Sequence, residues 1–271
     1  MHGVERVNVK YRYAIIDGLR IRYSDIGSGH AIVLIHGLGG SIEAWLDTMR
    51  TLKDSYRVIA LDLRGFGSSQ KPVKLSSITD FSRDVVGVMD YAGVESASIL
   101  GFSMGGLVAL ETYRQYRGRV DSLILADTSP RLAVDADSIR KAFSSPKAAY
   151  QSLKRLTRRL KSTNTLKLLA EALTQNDPGY IVMVVDAVRN ADYWDLLPHI
   201  KVPVLVLIGE HDSLVPLDTA KRMVNAIPNA VLEVIKDAGH LSKFDDPTTF
   251  NLTIIKFLDK VYHRNVAGES Y

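Results

Sequence analysis

The 271-residue chain reads as one α/β core: a mostly parallel sheet, opened by an antiparallel hairpin and interrupted by an inserted helical cap. Three features point there. Apolar runs at 31–35 and 204–208 lack polar alternation, as strands covered on both faces do. Such runs alternate with segments of helical period, the order of a doubly wound sheet with right-handed crossovers. Asp17-Gly18 separates two alternating runs and suits a two-residue hairpin turn.

Taken in order, residues 7–16 and 19–24 form the hairpin, and strand 31–35 ends in His36-Gly37-Leu38-Gly39-Gly40. Ser41 is placed to cap a helix running to about residue 52. A strand at 56–62 and a glycine-rich loop follow, then a helix at 80–91 with Phe81, Val85, Val88 and Met89 on one face. Strand 97–102, helix 104–116 and strand 120–126 continue the alternation. Between Pro130 and Pro198 strand-like runs vanish and helical spacing rich in Lys and Arg takes over. Residues 131–197 therefore read as the cap, and 1–130 with 198–271 as the core. Strand 204–208, helix 217–226, strand 231–235 and helix 248–261 complete it.

Composition narrows the chemistry. The chain is 46% hydrophobic and 24% charged, the balance of an ordinary globular protein. Its net charge of +4 is too mild to call for a nucleic-acid partner. With no cysteine, disulfides, thiolate catalysis and cysteine-ligated zinc are excluded. The amino terminus, Met1-His2-Gly3-Val4-Glu5-Arg6, lacks the apolar core of a signal peptide, and no apolar run approaches the ~20 residues that span a bilayer. A cytoplasmic protein without membrane association is expected; monomer and homodimer are both open.

The chemistry gathers at Gly101-Phe102-Ser103-Met104-Gly105, a G-x-S-x-G pattern entered by an apolar strand and left by an apolar helix. A serine on so sharp a turn presents its hydroxyl above the sheet. A hydroxyl is a poor nucleophile until a base takes its proton, so a carboxylate-held histidine should follow. Asp212, in Gly209-Glu210-His211-Asp212-Ser213, and His240, in Asp237-Ala238-Gly239-His240, each lie just past a strand. Asp127, ending an earlier strand, is the rival acid, and His36 reads as a structural hydrogen-bonding residue. The oxyanion formed on attack needs preorganised N–H donors, which Leu38 and Met104 are placed to supply.

On these motifs, together with Asp62-Leu63-Arg64-Gly65-Phe66-Gly67-Ser68-Ser69, the chain resembles the α/β-hydrolase superfamily over nearly its whole length outside the cap. The order Ser, Asp, His is that of the family. Serine at position 103 disfavours the haloalkane dehalogenases and epoxide hydrolases, which carry aspartate there. The absence of Trp after His240, and Phe102 rather than Asn before the serine, depart from many carbon–carbon bond hydrolases. The resemblance thus implies a carboxylesterase-type enzyme that cleaves small esters through an acyl-serine, with no cofactor or metal. Its alternatives are carbon–carbon hydrolysis of ring-cleavage diketo acids, lactone opening, cofactor-free peracid formation, and a ligand receptor on the same fold. Leu38, Phe102, Met183, Trp194 and Leu241 are expected to border the substrate, with Leu168, Leu169, Ile181 and Val184 helping to roof it. Arg189 is the first candidate to meet a substrate carboxylate, whereas Lys154, Arg155, Arg158, Arg159 and Lys161 read as a solvated helix face.

Overall fold

Asp17 and Gly18 both take positive φ, 51° and 74°, the requirement of a tight hairpin whose twist matches its strands. They join β1 (Tyr11–Ile16) to β2 (Leu19–Ile26) in antiparallel register. The structure, a computed structural model, describes residues 9–75, 77–133, 135–160 and 162–267, with side chains as far as Tyr262. The amino-terminal hexapeptide, the start of the first strand at Val7, and Lys161 lie outside the described residues.

Beyond the hairpin come β3 (Ala31–Ile35), β4 (Arg57–Leu61), β5 (Ala97–Phe102), β6 (Val120–Ala126), β7 (Val204–Gly209) and β8 (Ala230–Ile235). The eight form one sheet in the order β1-β2-β4-β3-β5-β6-β7-β8. β2 meets β4 antiparallel, and every pairing from β4 to β8 is parallel. Strands β3, β5 and β7 are buried throughout, which accounts for their unbroken apolar runs. This is the α/β-hydrolase fold that the motifs imply.

Two helical layers cover the sheet. On one face lie α2 (Ile78–Tyr91), α3 (Met104–Gln115) and α8 (Leu217–Ala226); on the other lie α1 (Leu46–Leu52) and α10 (Pro247–Ala267). Two helix starts differ from expectation. Ser41 makes no cap hydrogen bond: its hydroxyl donates to Glu43 at 2.6 Å, and Ile42–Trp45 form a 3-10 turn before α1 begins. α2 starts earlier than read because Ser77 and Asp80 form a reciprocal capping box.

Between β6 and β7 the insertion folds as α4 (Ala136–Ala142), α5 (Pro146–Leu156), α6 (Thr163–Thr174) and α7 (Pro178–Arg189). Asp135, Ser145, Ser162 and Asp177 cap the four helices with their side chains, and α5 and α7 carry Pro in the first turn. Tyr180 on α7 donates its hydroxyl to Arg64 O at 2.6 Å, seating the helix on the loop after β4. That loop is a structural turn: Asp62 accepts the N–H groups of Ile42 and Ser68, each at 2.8 Å, and Arg64 pairs with buried Asp84. Lys154 and Arg155 are exposed on the last turn of α5, but Arg158 and Arg159, also exposed, lie past its end in the link to α6, so the basic cluster is not a single helix face. Among the described residues no helix is long and apolar enough to cross a membrane.

Candidate active site

The parallel strands β3, β5, β7 and β8 end at one edge of the sheet, so the loops that follow them converge there. Ser103 follows β5 directly. Its N–H donates to Ala126 O at 2.9 Å, and the chain then turns through φ 53°, ψ −120° into α3. Such a φ costs a non-glycine residue about 1–3 kcal/mol and persists only where the surroundings enforce it. Close backbone approach does so here. A Cβ on Gly101 would lie 2.2 Å from Gly105 O, and one on Gly105 would lie 2.4 Å from Ile35 O. Strand and helix can touch only through glycine, and the turn between them holds the Ser103 side chain out at the sheet edge.

The loop after β7 carries Asp212. Its Oδ1 accepts the N–H groups of Leu214 and Val215 at 2.8 and 2.9 Å, which fixes the carboxylate plane. His240, in the loop after β8, donates from Nδ1 to Asp212 Oδ2 at 2.8 Å. Ser103 Oγ donates to His240 Nε2 at 3.0 Å. The tautomer follows from the partners: an ionised carboxylate only accepts, so Nδ1 carries the proton and Nε2 is free to receive one. Burial pushes the imidazole down, but the hydrogen bond to Asp212 and its charge, with Asp127 behind, outweigh it and hold His240 above its ordinary value. The structure thus joins Ser103, His240 and Asp212 in one hydrogen-bonded chain. Such a chain can deprotonate a hydroxyl and stabilise the imidazolium that results.

The remaining titratable candidates fall elsewhere. His36 is fully buried, donating from Nδ1 to Gly37 O at 2.8 Å and accepting the Leu63 N–H at 3.1 Å, and burial lowers its pKa. Asp127 makes no hydrogen bond to His240; it accepts from Gly209 N and Ser242 Oγ. His211 is exposed.

Met104 opens α3, so its N–H has no intrahelical acceptor and lies at the positive end of the helix dipole. Leu38 sits in a turn closed by Gly40 N donating to Gly37 O at 3.0 Å. A Cβ on Gly37 would lie 3.3 Å from Ser103 Cβ, so this loop runs in contact with the serine.

A cavity of about 360 Å³ opens beside the serine. Gly37, Leu38, Phe102, Ser103, Met104, His240 and Leu241 border it on the core side. Leu214, in the loop that carries Asp212, adds to the core side, and the insertion supplies the opposite wall, including Ile139, Phe143, Leu153, Leu156, Leu173, Val185 and Val188. Of the residues expected to border the substrate, Leu38, Phe102 and Leu241 line this cavity and Met183 and Trp194 do not. α7 turns Val185 and Val188 inward, and Met183, two residues before Val185, is rotated about 200° from it. The Trp194 ring lies under the Arg222 guanidinium, 4.6 Å away, towards α8. Leu168 is exposed, Leu169 is half-buried against the core, and Ile181 and Val184 pack within it, so none of the four lines the cavity. The inward valines were missed because α7 is apolar on most sides, with Tyr180, Ile181, Val184, Val185 and Val188 all buried. Arg189 is about half exposed, its nearest carboxylate Asp186 at 3.9 Å. No lysine or arginine is found among the described residues that line the cavity, and Asp135 is the acidic one.

Comparison with known proteins places this geometry. A family model described as alpha/beta hydrolase fold matches residues 30–247. The chain is 31% identical over 283 residues to a 2-hydroxy-6-oxononadienedioate/2-hydroxy-6-oxononatrienedioate hydrolase of Burkholderia vietnamiensis, covering 94% of this chain and 96% of that one. Its structure is similar to that of a thermophilic esterase from Thermogutta terrifontis, with a TM-score of 0.85 at 26% identity, covering 93% and 99% of the two chains. It is also similar to the enol-lactonase from Burkholderia xenovorans LB400, with a TM-score of 0.83 at 26% identity, covering 91% and 99%. The family match runs from the residue before β3 to the first residue of α10 and so takes in the parallel sheet and the loops that carry Ser103, Asp212 and His240: this chain belongs to the α/β-hydrolase superfamily.

Proposed function

We propose that the protein hydrolyses small, uncharged carboxylic esters through an acyl-serine intermediate. The observation that carries this reading is a serine hydrogen-bonded to a carboxylate-held histidine in an apolar cavity without a cation among its described lining residues. Ser103 attacks the ester carbonyl as His240 Nε2 takes its proton, and Asp212 stabilises the imidazolium. The N–H groups of Leu38 and Met104 receive the oxyanion, an interaction whose loss typically costs roughly 3 kcal/mol of barrier lowering. His240 then protonates the departing alcohol, and a water deprotonated by the same imidazole releases the acid. The inserted helices act as the lid that closes the cavity over the ester. At about 360 Å³ the space lies near the lower end of the ~300–1,000 Å³ usual for ligand sites, which favours short acyl and alcohol groups.

Carbon–carbon hydrolysis of a ring-cleavage diketo acid is the second reading, favoured by the similarity to the Burkholderia vietnamiensis hydrolase. A doubly anionic substrate needs a cation to meet it, and the nearest candidate named from sequence, Arg189, does not line the cavity. Steady-state rates on p-nitrophenyl esters of increasing chain length, beside a ring-cleavage diketo acid, a lactone and a peroxide assay, decide between them. Higher kcat/KM on p-nitrophenyl butyrate than on the diketo acid supports the ester reading. The reverse order, or faster cleavage of emulsified triolein, overturns it.

A further inference from the structure

We infer that Asp245 is a positioning residue that locks the insertion to the histidine loop, so that the cavity wall and the base are held as one unit. Asp245 ends a short helix, α9 (Ser242–Asp245), and its side chain is buried. Four backbone donors converge on it, three from a segment far away in the chain and one from the adjoining histidine loop. Arg158 N donates to both carboxylate oxygens, at 3.1 and 2.9 Å, and Arg159 N and Leu160 N each donate to Oδ1 at 2.8 Å. Gly239 N, immediately before His240, donates to Oδ2 at 2.8 Å. Backbone N–H groups bonded to an ionised acceptor form the stronger class of hydrogen bond, and each would otherwise be left unpaired in a partly buried place.

The two segments also touch directly. Leu241 N donates to Leu156 O at 3.1 Å, and a Cβ on Gly239 would lie 2.5 Å from that same oxygen, so only glycine admits the contact. Leu156, His240 and Leu241 all line the cavity. Loss of the carboxylate frees the 158–160 segment and the peptide before His240 together, loosening the substrate wall and the base at once. This inference rests on the assignment of His240 as the base.

The test is Asp245→Asn, which puts an amide N–H among four donors, compared with Asp246→Asn, which turns the partly exposed Arg159–Asp246 ion pair into a neutral contact but keeps the four N–H bonds to Asp245 and an N-cap for α10. Assayed well below the melting temperature, Asp245→Asn should lower kcat by about 10- to 100-fold, as small misplacements of catalytic groups do. KM for p-nitrophenyl butyrate should rise with it, while Asp246→Asn stays near wild type. A stable, folded Asp245→Asn with wild-type kcat and KM overturns the inference. Amide hydrogen exchange on the wild-type protein reads the lock without any variant: Gly239 should open together with Arg158, Arg159 and Leu160. Slow exchange at Gly239 beside fast exchange at the other three also overturns it. If Ser103→Ala retains ester turnover, the functional reading fails, and the exchange result still decides on the lock.

Discussion

Asp127 accepts the hydroxyl of Ser242 on one carboxylate oxygen and the N–H of Gly209, at 2.9 Å, on the other. Both oxygens are engaged in bracing the loops beneath the site, although Asp127 is fully buried near His240 and at φ 46° takes a left-handed backbone. Asp212 instead reaches Nδ1 of His240. Asp212→Asn should therefore lower kcat by about 10⁴-fold with little change in KM, because an amide stabilises the wrong imidazole tautomer. Asp127→Asn should act mainly on stability. Steady-state kinetics and thermal melts of both variants check this, and the opposite ranking of kcat would move the acid to the earlier strand.

The pH profile of kcat/KM should carry the mark of Asp212. His240 must be neutral to accept the serine proton, so activity rises with pH through its titration. Because Asp212 holds the imidazole above its ordinary value, the acidic limb should lie above about pH 6.5. Removing the Asp212 charge leaves only the more distant charge of Asp127 opposing burial, and in Asp212→Asn the limb should move to lower pH. A limb that stays in place in the variant would contradict the pairing.

Lys243 is buried beneath the site, donating from Nζ to Ala44 O at 2.9 Å, with the rings of Trp45 and Phe102 at 3.6 and 4.8 Å. Burial lowers its pKa to about 7, against the opposing charge of Asp127. Between about pH 7 and the ordinary lysine value near 10.4, the unfolded chain then binds more protons than the folded one, so this group makes stability rise with pH. Lys243→Met keeps the stem and abolishes the titration. Melting temperatures of the two proteins over this range should show wild type gaining on the variant as pH rises; parallel curves would show that Lys243 titrates normally.

Arg189 offers a check on the cavity. With its side chain about half exposed and outside the lining, Arg189→Ala should leave kcat/KM close to wild type for neutral and carboxylate-bearing esters alike. A loss confined to the anionic substrate would mean that Arg189 turns inward during turnover and would favour the diketo-acid reading.

Local chemistry was enough to read most of the framework from the sequence. Asp17-Gly18 sets a hairpin because its backbone preference is its own, and the unbroken apolar runs mark strands because burial on both faces demands them. The loops bearing Ser103, Asp212 and His240 were legible because parallel strands send their following loops to one edge, wherever the intervening chain goes. The missing cap bond at Ser41 shows the limit of such rules, since a nearby carboxylate, Glu43, took its hydroxyl instead. Tertiary structure alone decided which face of α7 meets the cavity, placing Val185 and Val188 inside and Met183 outside on a helix with apolar residues almost all round. It alone decided that Asp245 gathers N–H groups from residues more than eighty positions away. Periodicity reports that a residue is buried; what it is buried against depends on contacts between segments far apart in the chain, which no local pattern encodes.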